Sequence, residues 1–199
     1  MDCALHNFMV YCRILLGERG PLMFEEKEIS RNVIYEGRIV TLRQDTAELV
    51  NGRQVSREVV EHPGGVCIVP VDYAGNCTLV RQFRYPFGEA LLEFPAGKLE
   101  RGEDPLACAV RELSEETGLV AGKVVSLGQM YPSPGYLDEV IYLYLALELT
   151  PGEAHPDENE FLSVETHSIE ALCEMIRENQ LPDAKTTVAL FKAMQYMGL

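Results

Sequence analysis

Residues 104–118 predict one amphipathic helix, and its charges constrain this chain more than any other feature does. Asp104 is a favourable N-cap, Pro105 suits the first helical turn, and Gly118 is a natural C-terminal stop. Three glutamates lie three or four residues apart and therefore share one face: Glu112, Glu115 and Glu116. Like charges at this spacing repel by roughly 0.2–0.5 kcal/mol per pair. A hard divalent cation would relieve that repulsion, so this face is a candidate metal site.

A solvated acidic helix face is the ordinary alternative for such a sequence. The wider pattern argues against it, because four more residues hold offsets that a surface helix does not require: Gly97, Glu103, Arg111 and Gly118. From Gly97 the chain reads G-x5-E-x7-R-E-L-x-E-E-x-G-L. This string matches the signature of the Nudix hydrolases without a mismatch, and the chain therefore resembles that family.

The composition limits the classes of partner. The 199 residues include 17 basic and 31 acidic side chains, a net charge of −14, which is a poor basis for binding duplex nucleic acid. The six cysteines are scattered, with no C-x-x-C pair, and we interpret them as reduced thiols in a cytoplasmic protein. The first residues lack the basic start and the cleavage site of a signal peptide, and their apolar run is too short to cross a membrane.

Three regions are predicted along the chain. Residues 1–22 form an extension, which is disordered, an upstream translation artefact or a local helix. Residues 23–61 contain short strand patterns with Asn51-Gly52 as a hairpin signal, so we expect a small antiparallel meander. Residues 62–199 form the main domain, and this is the part of the chain that the Nudix resemblance covers.

The main domain mixes strands and helices. Residues 66–71 are a continuous apolar run typical of a buried strand, whereas residues 169–178 and 184–197 have the period of amphipathic helices. A separate apolar stripe of the motif helix is expected to face a core: Leu106, Ala109, Val110 and Leu113. The pattern predicts an α+β fold, and the resemblance implies an α/β/α sandwich around a mixed sheet.

The family resemblance also implies a chemistry, the hydrolysis of a nucleoside diphosphate linked to another group. The expected cofactor is Mg²⁺, with Mn²⁺ as a substitute, and the expected ligands are the Ala96 carbonyl, Glu112, Glu115 and Glu116. Arg111 is expected to orient the carboxylates, and Glu103 to brace the loop or Arg111. The general base is expected on the acidic loop of residues 155–160, where Glu158 is preferred to Glu160; a solvated loop is the alternative.

Other segments resemble the ADP-ribose pyrophosphatase branch of the family. Pro134 follows Leu119 by fifteen residues within Ser133-Pro134-Gly135, and Arg84 lies in Gln82-Phe83-Arg84-Tyr85. In that branch such an arginine approaches the substrate diphosphate, and an acid placed like Glu139 contacts substrate. The alternatives are a turn proline, a surface salt bridge and an exposed strand-edge acid.

The branch also forms homodimers in which the N-terminal strands cross to the partner. Arg57 and Tyr35 would then face the other subunit's site, with the Tyr35 ring on adenine; core packing is the alternative for Tyr35. The resemblance thus implies hydrolysis of ADP-ribose to AMP and ribose 5-phosphate. The alternatives are hydrolysis of another nucleoside diphosphate sugar, of a dinucleotide or of an oxidised nucleotide, and an ADP-ribose-binding module without turnover. The complete set of motif carboxylates favours an enzyme.

Overall fold

The computed structural model describes residues 24–155 and 161–199, which fall into two compact units. The N-terminal unit comprises described residues up to 37 together with residues 41–60. The main unit comprises residues 38–40 and the described residues from 61 onwards. Residues 1–22, the expected extension, lie outside the described part of the chain.

The N-terminal unit is built from antiparallel strands, as the meander predicts. The strands are β1 (Lys27–Ser30), β2 (Val33–Glu36), β3 (Thr41–Glu48) and β4 (Gln54–Glu61). Strand β3 pairs with β1 and β2 in antiparallel register, and β4 also pairs with β3. The turn before β4 contains Gly52 at φ 80°, a backbone conformation that favours glycine. The Asn51-Gly52 hairpin signal therefore marks a real turn.

The main unit contains two sheets and three helices. A mixed sheet has the order β8-β5-β10-β9, and a smaller antiparallel sheet has the order β11-β6-β7. The strands are β5 (Gly65–Pro70), β6 (Asn76–Arg84), β7 (Glu89–Glu93), β8 (Ala96–Lys98), β9 (Leu119–Met130), β10 (Ile141–Pro151) and β11 (Leu162–Ser168). The helices are α1 (Pro105–Thr117), α2 (Ile169–Arg177) and α3 (Ala184–Met197). Strands β5 and β10 run parallel, while β8 and β9 are antiparallel to their neighbours.

Strand β5 is buried on both faces, which makes the main unit a sandwich. Val66 and Ile68 pack in one core with residues of α1, whereas Cys67 and Val69 pack in another core with residues of α2 and α3. Alternate side chains of a strand point to opposite faces of its sheet. Helix α1 therefore covers one face and the two C-terminal helices cover the other. The α/β/α architecture expected from the sequence is confirmed. No helix among residues 24–155 and 161–199 is long and apolar enough to cross a membrane.

Only half of the apolar stripe expected on helix α1 is buried. Ala109 and Leu113 are buried, but Leu106 and Val110 are 44% and 41% exposed. The buried face instead includes Cys108 and two carboxylates of the motif. Because those carboxylates point inward, the helix is rotated relative to the prediction, and Leu106 and Val110 turn towards solvent.

Replacing the helix cap should lower the stability of the protein. Asp104 accepts hydrogen bonds from the backbone N–H groups of Leu106 at 3.1 Å and Ala107 at 3.0 Å. We expect Asp104→Ala to lower the free energy of unfolding by about 1 kcal/mol in urea titrations. Asp104→Asn, which keeps the accepting oxygen, is the matched control and should stay close to the wild type. An unchanged midpoint for Asp104→Ala would show that the cap does not stabilise the fold.

Candidate active site

Strand β8 contacts the motif helix α1 at two places, and one of them is possible only because Gly97 has no side chain. A Cβ atom added to Gly97 would lie 1.9 Å from Glu112 Oε1, well inside van der Waals contact. At the second place, Glu116 Oε2 accepts a hydrogen bond from the Ala96 N–H at 3.2 Å. Glu112 and Glu116 are 8% and 3% exposed. Strand β8 thus holds two buried glutamates of helix α1 against its backbone.

Arg111 connects three acidic side chains of the motif. Its Nε and Nη2 donate to Glu103 at 3.0 and 3.3 Å, while Nη1 lies 2.9 Å from Glu112 Oε1 and 2.8 Å from Glu115 Oε2. Glu103 also accepts from the Glu100 N–H at 2.9 Å, and the hydrogen bonds from Arg111 are the main reason why the pKa of Glu103 is lowered. Glu103 therefore braces both the loop and Arg111, while Arg111 orients two of the candidate ligands.

The groups predicted as metal ligands all offer oxygen, the atom type that a hard divalent cation prefers. They are the Ala96 carbonyl and the carboxylates of Glu112, Glu115 and Glu116. Within the described ranges no group of three or more His, Cys, Asp or Glu side chains is already arranged to hold a metal ion. The Arg111 guanidinium lies against Glu112 and Glu115, so a cation would share or replace those contacts. The assignment of the four ligands stays a prediction.

A cavity of about 790 Å³ opens beside the motif within the main unit. Six residues expected at a site from the sequence line it: Arg84, Ala96, Arg111, Glu112, Glu115 and Glu139. Several residues that the sequence analysis did not select also line the cavity: Arg38, Ile39, His62, Asp183 and Lys185. Two motif carboxylates, Glu112 and Glu115, therefore share one cavity of substrate size with five cationic side chains: Arg38, Arg84, Lys98, Arg111 and Lys185.

Arg84 is held by a buried acid that the sequence analysis did not select. Its Nε and Nη2 donate to Glu93 at 2.6 and 2.8 Å, and the Glu93 side chain is 1% exposed. Lys185 forms a third contact with the same carboxylate. Burial opposes the ionisation of Glu93, but the bond from Arg84 and the charge of Lys185 outweigh it and lower the pKa of Glu93. A glutamate within an apolar segment, Leu91-Leu92-Glu93-Phe94, is the signal that could have revealed this group.

Glu139 is half-buried, so it is not an exposed strand-edge charge. Its Oε1 lies 3.2 Å from His62 Nδ1, which also accepts a hydrogen bond from the Gly64 N–H at 3.1 Å. Asp138 Oδ1 accepts from the His62 N–H at 2.8 Å. The segments around His62 and Glu139 are thus tied together at the cavity.

The remaining candidates are more scattered. Pro134 is exposed and is not among the residues that line the cavity, whereas Pro132 lines it. Tyr35 and Arg57 belong to the N-terminal unit, where Tyr35 is 59% exposed and Arg57 donates to Glu26 at 2.9 and 2.7 Å. Tyr35 is therefore not a core residue of this chain. Glu158 and Glu160 lie outside the described residues.

Comparison with known proteins identifies the class of this chain. Residues 61–190 match the NUDIX domain. The chain is 40% identical over 177 residues to an ADP-ribose pyrophosphatase of Bacillus subtilis (strain 168), covering 88% of this chain and 94% of the relative. It is equally 40% identical, over 179 residues, to a methanol dehydrogenase activator of Bacillus methanolicus, covering 89% of this chain and 95% of the relative. The complete motif and these matches show that the chain belongs to the Nudix family and is a Nudix hydrolase.

A solved structure supports the fold independently. It is described as the crystal structure of an ADP compounds hydrolase, and it aligns with a TM-score of 0.79 over 90% of this chain and 97% of its own. The sequence identity is 22%, so this likeness concerns the fold alone.

Proposed function

We propose that this Nudix hydrolase adds water across the diphosphate of ADP-ribose and releases AMP and ribose 5-phosphate. The observation that carries the proposal is that two motif glutamates, Glu112 and Glu115, line the same cavity as Arg84. A diphosphate needs positive charge around it, and an acidic chain must supply that charge locally. The Bacillus subtilis relative, which is named for this substrate and matches along most of its length, supports the choice of ADP-ribose.

We assign the cation to Mg²⁺, with Mn²⁺ as a substitute, at the Ala96 carbonyl and the three glutamates of helix α1. When bound, it would neutralise charge on the diphosphate and lower the pKa of a coordinated water. Arg111 holds Glu112 and Glu115 in orientation, and Glu115 combines that contact with a place on the cavity surface.

We assign the remaining roles to residues around and beyond the motif. Arg84 binds an oxygen of the diphosphate, and Glu139 accepts a hydrogen bond from a ribose hydroxyl. Pro134 shapes the loop that follows β9. The general base is Glu158, with Glu160 as the alternative, on the acidic loop outside the described residues. A cytoplasmic location follows from our interpretation of the cysteines as reduced thiols.

We further propose that the active enzyme is a homodimer. None of the described residues that line the cavity is Phe, Tyr or Trp, and an adenine base is commonly held by stacking on such a side chain. Tyr35 offers such a ring on strand β2, whose four residues are all exposed. In the dimer, the exchanged N-terminal strands of the second copy would bring Tyr35 and Arg57 to this cavity, and Arg57 would exchange Glu26 for substrate.

A second candidate function uses the same residues on a different substrate. Arg84 and the motif carboxylates act on a diphosphate, and every nucleoside diphosphate sugar and dinucleotide contains one. A relative from Enterobacter sp. (strain 638) named GDP-mannose pyrophosphatase, 30% identical over 187 residues, favours this alternative. A module that binds ADP-ribose without turnover is the third candidate, although the complete motif argues against it.

Product analysis separates these candidates. We expect the wild type, incubated with ADP-ribose and Mg²⁺, to yield AMP and ribose 5-phosphate in equal amounts on ion-exchange chromatography, whereas Glu116→Gln should yield almost none. Parallel incubations with NADH and UDP-glucose test the alternative substrates. Binding of ADP-ribose without products would indicate a binding module. If ADP-ribose is neither bound nor cleaved, the substrate assignment is wrong while the family assignment remains.

A further inference from the structure

Two cations share the buried carboxylate of Glu93. Arg84 occupies both of its oxygens with Nε and Nη2, and Lys185 Nζ also contacts Oε2. Lys185 in addition lies 3.0 Å from Asp183 Oδ1. The side chains of Lys185 and Asp183 are each 16% exposed, and both residues line the cavity together with Arg84. These four groups form a network with no net charge at the edge of the candidate site.

The network decides which donors of Arg84 can reach a substrate. A guanidinium has five N–H donors, and Glu93 takes two of them from one side of the fork. The Arg84 side chain is 35% exposed and lines the cavity. The hydrogen bonds to Glu93 therefore leave the donors of Nη1 and one hydrogen of Nη2 for a substrate.

Lys185 holds an unusual position for a cation. It lies in the first turn of helix α3, where the helix dipole disfavours positive charge. Burial also disfavours the charged ammonium, but Asp183 and Glu93 outweigh burial and raise the pKa of Lys185. The adjacent Thr186 accepts a hydrogen bond from the Phe94 N–H at 3.0 Å. Two neighbouring contacts thus join the start of α3 to the end of β7, and one of them is the contact of Lys185 with Glu93.

We propose that Lys185 is a positioning residue for substrate binding: through Glu93 it fixes the orientation in which Arg84 presents its free donors to a diphosphate. This inference rests on the proposed function, because it takes Arg84 as the group that binds the diphosphate. Without Lys185, Glu93 keeps a single cationic partner in a buried place, and the carboxylate and Arg84 are free to reorient together. Lys185 acts through Glu93 and Arg84 and does not need to touch the substrate.

The test measures the affinity for ADP with Mg²⁺ by calorimetry, so it does not depend on turnover of ADP-ribose. We expect Lys185→Met to weaken ADP binding about tenfold, the size of coupling typical of groups in one ionic network. Lys185→Arg, which keeps the charge, should stay within about threefold of the wild type on the same scale. Lys192→Met is the matched control, because Lys192 lies on the same helix and donates to the Leu127 carbonyl at 2.9 Å. It should keep wild-type affinity.

A double mutant separates positioning from a general loss of structure. If Lys185 acts through Arg84, Lys185→Met should cost little more once Arg84→Met is present, whereas independent effects would add. Full additivity, or wild-type affinity in Lys185→Met, would overturn the inference. If Lys185→Met fails to fold, Lys185→Gln is measured in its place against the same expectation. If the wild type binds ADP but does not cleave ADP-ribose, only the proposed substrate is overturned. If the wild type does not bind ADP, both the proposed function and the role of Lys185 are overturned.

Discussion

Glu116→Gln should remove most of the turnover and leave the protein folded. Glutamine has the shape of glutamate and can still accept the hydrogen bond from the Ala96 N–H, so the contact between β8 and α1 survives. It lacks the negative charge that a divalent cation requires at this buried place. We expect kcat to fall by at least about a hundredfold, because the variant loses a charged ligand of the cation. Each tenfold in rate corresponds to roughly 1.4 kcal/mol of transition-state stabilisation.

Initial rates with ADP-ribose and urea titrations measure the two halves of this prediction. The control is Glu170→Gln, which removes one negative charge at an exposed position of helix α2 and should keep the wild-type rate. Unfolding of Glu116→Gln would indicate a mainly structural role for this glutamate. A wild-type rate would contradict its assignment as a metal ligand.

Gly97→Ala should also inactivate the enzyme, for a steric reason. The added Cβ would lie 1.9 Å from Oε1 and 2.1 Å from Cδ of Glu112, so the two groups cannot keep their places. The obstructing atoms belong to the end of a flexible side chain, which can rotate away. The fold should therefore survive while Glu112 leaves the position it needs as a ligand, and we expect kcat to fall by at least about a hundredfold.

Gly135→Ala is the matched control for the stability of this variant. A Cβ atom at Gly135 would meet nothing within 4 Å, and its free energy of unfolding should stay within about 0.5 kcal/mol of the wild type. For Gly97→Ala, calorimetry with Mn²⁺ should show weaker metal binding alongside the lower rate. A variant with the wild-type rate and metal affinity would show that Glu112 is not needed as a ligand in the place described here.

Features that depend on neighbouring residues could be predicted from the sequence. Helix α1 begins after Asp104 and ends before Gly118, as expected, because a cap and a left-handed stop act within one turn. The common face of Glu112, Glu115 and Glu116 follows from helical spacing alone. The Asn51-Gly52 turn likewise depends only on neighbouring residues.

Features that depend on distant partners could not be predicted. Strand β11 was missed, because Leu162–Ser168 is rich in polar residues and becomes a strand by pairing with β6, whose partner residues lie 80 to 92 positions earlier. The rotation of α1 was missed as well, because the inward position of Glu112 depends on the space above Gly97.

The chemistry of the motif could thus be predicted from local sequence, whereas the environment of Arg84 depends on the packing of distant segments. The spacing of the motif was enough to indicate a carboxylate site, since helical periodicity places Glu112, Glu115 and Glu116 on one face, and the match to the family signature indicated the Nudix type. The partners of Arg84 come from packing: Glu93 lies nine residues away, and Lys185 is 92 residues from Glu93. Only the tertiary structure brings helix α3 to the end of β7. Burial removes the water around a charged side chain, so a buried charge needs an opposite charge close to it. Packing of distant segments supplies that opposite charge here.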